Sequence, residues 1–405
     1  MATKKKKQKL LKTDFEFYSL APLFKKCPLE LFYYYVIFGE RSNGKSFAVQ
    51  EFCLREYIEK GYAMGYIRRW DSDYDKGNTK KIWKPFIENP YRGNVIKEIS
   101  KGKWNSIFYY LGCWYLQRVA EDYETDQEGK VIRSPGDVIE RDENPFAYQF
   151  SLNTQEHVKS SGYPDIHYIV FDEFITRGYY LNGGDEFTIF TSLVSTIVRI
   201  EDYVRIFMIG NSISWACPYF REMGLTNVRK MPEEGAIDIY RYGDSRLQVA
   251  VERTPNVTTR KGSKKKSDVY FAFNNPMLRM VTTGGWEIDI YPHLPAGYKL
   301  KPESIIYSFF IIYEDEIIQG DIAYKEESLI AFIHRKTTPI KDDNRNLVYT
   351  RDQDTRYWYR RRLTTPVTKL EKLIYSLFIS EKVFYQDNEL GEEVSHYIDW
   401  SRNGR

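Results

Sequence analysis

The chain has 405 residues, 42% hydrophobic and 28% charged, which excludes a disordered polymer and leaves room for two domains. A net charge of +3 does not by itself mark a nucleic-acid binder. Four scattered cysteines, Cys27, Cys53, Cys113 and Cys217, argue against a disulfide framework or zinc ribbon; with no apolar run of membrane-spanning length, the expectation is a soluble intracellular protein.

In chain order, residues 1–30 read as an arm that opens on the basic run Lys4 to Lys7. From Leu31 the run LFYYYVIF predicts a strand leading straight into Gly39. A helix is predicted over Lys45–Lys60, with Val49, Phe52, Cys53 and Tyr57 at helical spacing and Gly61 as its cap. AMGYIRRW is a second strand, ending at Trp70. Residues 71–150 show no clear period, and Glu121 to Glu143 carry nine acidic residues against three basic ones, an exposed insertion or hairpin. IHYIVF (Ile166 to Phe171) predicts a strand, Asp185 to Val198 a helix, and VRIFMI (Val204 to Ile209) a strand leading to Gly210 and Asn211. Alternating strands and helices over the first 220 residues predict a mostly parallel α/β sheet. After a basic stretch from Arg253 to Asp268, IIYSFFIIYEDEIIQGDIAY reads as a hairpin turning near Glu314 and Asp315, and LEKLIYSLFI (Leu370 to Ile379) as a helix. The predicted division is an arm over 1–30, an α/β domain over 31–250, a linker over 251–269 and a smaller α+β domain over 270–405.

Between the first strand and first helix lies Gly39-Glu40-Arg41-Ser42-Asn43-Gly44-Lys45-Ser46, which matches GxxxxGK[ST]. In such a loop the backbone curls its N–H groups around phosphates, and the helix N-terminus adds partial positive charge. Lys45 is then the contact to the β- and γ-phosphates of ATP, and the Ser46 hydroxyl a ligand to Mg²⁺. The strand at 166–171 ends in Asp172 and Glu173, two acids that are costly at the end of a buried strand unless something charged binds there. Asp172 is expected in the Mg²⁺ shell and Glu173 as the general base that orients the attacking water. Asn211, past the next strand, is placed to sense the γ-phosphate, or is a turn residue. Arg199 and Arg205 are candidates for an arginine acting across a subunit boundary, and Arg68 and Arg69 close the second strand. Lys76, Lys80, Lys81 and Lys84 are candidates for phosphate contacts to DNA.

GERSNGKS, the strand ending YIRRW, IVFDEFI (Ile169 to Ile175) and GNSISWACPYF (Gly210 to Phe220) occur in one order. In order and wording the chain resembles the DNA-packaging ATPases of phi29-like tailed bacteriophages, over residues 30 to 220. The resemblance implies a P-loop ATPase domain of the additional-strand group. It also implies a homo-oligomeric, pentameric ring in the host cytoplasm, docked on the portal of a procapsid and driving double-stranded DNA inward. A scaffold RNA is a further possible partner, and no membrane is involved. By position after the helix, Arg199 matches the family's trans-acting arginine. The resemblance also implies an RNase-H-like second domain. SFFIIY carries no embedded Asp, so that domain is expected to be nuclease-inactive. An active large terminase and a translocase for single-stranded DNA are the alternatives.

Overall fold

In a computed structural model of the chain, the structure describes residues 10, 17–75, 77–154, 162–176, 180–181, 186–199, 202–211, 217–232, 235–243, 246–255, 291–295, 298, 300–313, 316–341 and 345–403. The predicted apolar runs become the middle of one sheet. β1 (Tyr34–Gly39) starts three residues later than LFYYYVIF predicted; Leu31 is exposed. β1 is hydrogen-bonded on both edges, by β10 (Arg205–Asn211) and β12 (Gln248–Arg253), and its residues from Tyr35 onward are buried on both faces. That burial explains continuous rather than alternating hydrophobicity. β10 pairs in turn with β9 (Ile166–Asp172), and β9 with β2 (Ala63–Arg68). β8 (Ala147–Ser151) follows β2, so six parallel strands run in the order β12-β1-β10-β9-β2-β8. One strand, β10, therefore stands between the strand feeding the glycine-rich loop and the strand ending in Asp172.

Two helices cover the two faces. α2 (Lys45–Lys60) lays Val49, Cys53, Leu54 and Tyr57 on one, and ends at Gly61, whose φ of 76° and N–H bond to Tyr57 make the predicted cap. α5 (Glu186–Val198) lays Phe190, Leu193, Val194 and Ile197 on the other. The stretch 71–150 extends the same sheet instead of forming a separate insertion. Helices α3 (Asn78–Ile87) and α4 (Val95–Ile99) precede β3 (Ser106–Tyr110) and β4 (Cys113–Val119); β4 pairs antiparallel with β8, and β3 antiparallel with β4. Trp83, Trp114 and Phe146 bury this extension through ring contacts such as Trp83–Phe146 at 4.8 Å. The acidic segment forms an exposed hairpin, β5 (Glu124–Thr125) with β6 (Val131–Arg133), then β7 (Val138–Arg141) beside β4. β11 (Ala236–Arg241) pairs antiparallel with β12 at the opposite edge.

Two predicted boundaries move. The described part of the arm belongs to the domain: α1 (Ala21–Lys26) buries Leu23, and Phe24 packs its ring on Tyr35 and Phe52. The boundary at 250/251 falls inside β12, because Val251–Arg253 pair with β1 and are buried. The rest of the predicted linker, from 256, and residues 270–290 lie outside the described residues, as does the Glu314–Asp315 turn.

The C-terminal domain has a six-stranded sheet. β13 (Ile305–Tyr313), β14 (Glu316–Lys325) and β15 (Ser328–Arg335) form an antiparallel meander, as the hairpin pattern predicts. β16 (Val348–Thr350) lies parallel to β13, β17 (Tyr359–Arg360) parallel to β16, and β18 (Val383–Tyr385) parallel to β15. Helices α6 (Lys369–Ile379) and α7 (Asn388–Asn403) join a core that includes Phe309, Ile311, Ile333, Ile374, Leu377, Val394 and Tyr397. Among the described residues, no helix is long and apolar enough to cross a membrane.

Candidate active site

Gly39, Asp172 and Asn211 end three neighbouring parallel strands, so the predicted loop, acids and amide converge on one edge of the sheet. The loop from Glu40 to Gly44 turns tightly, with Ser42 at φ 62° and Gly44 at φ 94° capping α2. Gly39 is required for closeness: a β-carbon there would sit 2.1 Å from Thr254 Oγ1. Thr254, which prolongs β12, also accepts from Asn43 Nδ2 at 2.7 Å, while Asn43 Oδ1 accepts from the Lys45 N–H at 3.2 Å. Glu40 is half-buried, and Arg41 and Ser42 are exposed.

The Lys45 ammonium is buried within reach of the Gly39 and Glu40 carbonyls, of Asn43 Oδ1 at 3.2 Å and of Asn211 Oδ1 at 3.5 Å. Burial pushes it down to about 8, against the pull of Asp172 and Glu40. A folded-state value below 10.5 means that the buried charge weakens the unliganded fold below pH 8, and that stability recovers as pH rises from about 8 towards 10.5. An anion bound at the loop would restore the charge. If the site takes ATP, binding is therefore expected to take up more protons at pH 9 than at pH 7. Calorimetric titration in buffers of different ionisation enthalpy reads this, and uptake flat with pH would overturn it.

Asp172 is 5% exposed and fully engaged. Its Oδ1 accepts from Ser46 Oγ at 2.9 Å, and its Oδ2 from Tyr66 OH at 2.7 Å and Arg68 Nη2 at 3.0 Å. Arg68 Nη1 also pairs with Glu173 Oε2 at 2.8 Å, so one guanidinium spans both acids. Glu173 sits at φ 65°, in the left-handed region, with its carboxylate largely exposed and its N–H donated to the Ile209 carbonyl at 2.8 Å. The donor set fits a small hard cation. A serine hydroxyl and a carboxylate are oxygen ligands of the kind Mg²⁺ takes alongside phosphates. The buried Arg68 Nε, which lacks a hydrogen-bond partner, fits an anionic ligand close by.

Arg199 is elsewhere. α5 runs from the edge holding Asp172 back to the opposite edge, where Arg199 is exposed at φ 53° and its guanidinium lies beside Gly162. Arg205, also on that edge, donates to the Leu29, Asp202 and Val204 carbonyls and stacks 4.6 Å from the Tyr33 ring centre. Lys80, Lys81 and Lys84 are exposed on α3, Lys84 pairing with Glu88 at 3.5 Å; Lys76 lies outside the described residues. Tyr66, Arg68 and Thr254 were not among the site residues expected from sequence. Strand alternation was the available signal, since residues 66 and 68 necessarily share a face.

Residues 114–239 match the profile of the Podovirus DNA encapsidation protein (Gp16) family. Over that span the chain is similar to the podovirus packaging proteins. The matched segment carries Asp172, Glu173, Arg199 and Asn211, whereas the glycine-rich loop lies before it. The DNA packaging protein of Bacillus phage B103 is 25% identical over 193 residues, 47% of this chain and 47% of that protein. The alignment thus spans about half the length of the curated relatives it matches. Two solved structures share the fold along the chain. The Phi-28 gp11 DNA packaging motor superposes with a TM-score of 0.53 at 18% identity, covering 95% of this chain and 98% of that one. The bacteriophage Phi-29 viral genome packaging motor assembly gives 0.53 at 16% identity, covering 94% and 99%.

Proposed function

We propose that the chain is an ATP-hydrolysing motor subunit that drives double-stranded viral DNA into a procapsid through the portal vertex, working as a homo-oligomeric, pentameric ring in the host cytoplasm. The observation that carries this reading is the meeting of Lys45, Ser46, Asp172 and Glu173 at one sheet edge, with Ser46 Oγ 2.9 Å from Asp172. In a chain homologous to phage packaging proteins, such a site points to phosphoryl transfer coupled to DNA movement.

Roles follow from the geometry. The loop N–H groups and Lys45 hold the phosphates. Ser46 and Asp172 would hold Mg²⁺, which when bound supplies charge neutralisation across the β- and γ-phosphates. Glu173 swings from Arg68 to orient and polarise the attacking water, and Asn211, beside Lys45, senses the γ-phosphate. Arg199 acts on a neighbour's nucleotide. Lys80, Lys81 and Lys84 face DNA. For the second domain, the order β15-β14-β13-β16-β17 supports an RNase-H-like reading. Its buried acids are already engaged, Asp321 by Ser308 at 2.6 Å, Gln319 at 2.8 Å and His334 at 2.9 Å, and Glu371 by Arg360 at 2.8 Å, which favours a docking role, to portal or scaffold RNA, over cleavage.

The test is steady-state hydrolysis at ring-forming concentration with Mg²⁺ and linear DNA. Double-stranded DNA is expected to stimulate it well beyond single-stranded DNA, and Lys45→Ala to abolish it. Equal stimulation by single strands would favour a different translocase, and absence of ATP binding would remove the motor reading.

A further inference from the structure

Arg68 and Arg69 are adjacent in sequence, yet strand alternation sends them to opposite faces of the sheet. Arg68 turns toward the Asp172 and Glu173 carboxylates. Arg69 turns toward α5, where it is buried against Glu186, the first residue of that helix, itself 0% exposed. Arg69 Nε donates to Glu186 Oε2 at 2.8 Å and Nη2 to Oε1 at 2.9 Å. The same guanidinium donates through Nη1 to the Glu173 carbonyl at 3.1 Å and through Nη2 to the Phe174 carbonyl at 2.8 Å. Glu186 is held from its other side by Tyr219 OH at 2.8 Å and the Leu181 N–H at 2.9 Å.

Two charges removed from water together are a poor way to stabilise a fold, since apolar side chains of similar volume usually do as well or better. What this pair provides that apolar residues lack is a set of rigid donors, aimed at the carbonyls that follow Asp172. Those carbonyls belong to backbone that requires support: Glu173 holds φ at 65°, a conformation that persists in a non-glycine residue only where its surroundings over-determine it. Bonds from the Glu173 and Phe174 N–H groups to the Ile209 carbonyl grip the segment from the β10 side. Arg69 grips it from the other.

We propose that Arg69 and Glu186 are positioning residues for hydrolysis, a buried anchor that fixes the direction in which the Glu173 carboxylate leaves the backbone. The proposal rests on the reading of Glu173 as the group that orients the attacking water. The anchor touches neither the glycine-rich loop nor Asp172, so it governs turnover and leaves nucleotide binding alone.

The experiment compares Arg69→Lys and the double variant Arg69→Met with Glu186→Met, each with and without Glu173→Gln. Lysine keeps the charge but cannot reach Glu186 and both carbonyls together. The double variant removes both buried charges, so it keeps a folded chain while lacking the donors. ATP affinity, read with a fluorescent analogue, is expected to stay within about twofold of the parent, while kcat falls about 10²-fold, the scale of a small misplacement of a catalytic group. Added to Glu173→Gln, neither change is expected to lower kcat further, because the anchor acts through Glu173. Parent-like kcat in the double variant, or a loss that adds to that of Glu173→Gln, would overturn the anchor. Should Glu173→Gln alone turn over normally, the reading of Glu173 fails instead, and the two failures are distinct.

Discussion

Glu173→Gln is expected to bind ATP as tightly as the parent and to hydrolyse it about 10²- to 10⁴-fold more slowly, the range supplied by a positioned general base. The amide keeps the shape of the side chain and can still meet Arg68, so the site retains its architecture. Lys45, Ser46 and Asp172, the proposed contacts to the phosphates and Mg²⁺, do not touch the Glu173 carboxylate; Arg68 is what connects it to Asp172. What is lost is the negative charge that polarises water. Equilibrium binding combined with single-turnover hydrolysis separates the two effects. A single-turnover rate within threefold of the parent would show that Glu173 is not the base.

Arg199→Ala is expected to lower hydrolysis about 10³-fold or more, the effect of removing an arginine that stabilises charge on the transferring phosphoryl group. On its proposed role, the nucleotide that Arg199 serves belongs to another subunit. The chain's own site lies at the carboxyl ends of β1, β9 and β10, and Arg199 lies at the other edge, beyond a helix of 13 residues, about 20 Å long. Arg205, the other candidate on that edge, is committed to the Leu29, Asp202 and Val204 carbonyls. Mixed rings make the test sharp. Arg199→Ala subunits keep Glu173, and Glu173→Gln subunits keep Arg199, so mixing two inactive proteins should restore hydrolysis where the correct pair meets. Mixtures as inactive as their components would rule out action across the boundary.

The loop was legible because the GxxxxGK[ST] pattern calls for a strand leading into it and a helix leading out: Gly39 ends β1 and Lys45 begins α2. Asp172 and Glu173 were legible for a related reason, as charges closing an apolar run. Thr254 was not, because it meets Gly39 and Asn43 across more than 200 positions of chain and bears no motif. Glu186 was equally hidden. At the start of an amphipathic helix an acid reads as a favourable terminal charge, and nothing local shows that it is wholly enclosed against Arg69. The stretch 71–150 defeated periodicity because β3 and β4 are short, antiparallel and largely half-exposed, with Trp83, Trp114 and Phe146 closing the core from three separate segments. The displaced boundary near 250 has the same origin: β12 is an inner strand, and its apolar run, VAV, is brief.

α5 has a consequence for the proposed ring. It begins at Glu186, which is tied through the Arg69 guanidinium to the Glu173 carbonyl, and Arg199 follows its last residue. Its sequence, EFTIFTSLVSTIV, contains neither glycine nor proline, so it has no soft joint along its length. On the proposed roles of Glu173 and Arg199, a tilt imposed at the first turn would reappear at the last. The helix would then work as a crankshaft, linking two chambers by a rod instead of by a flexible loop.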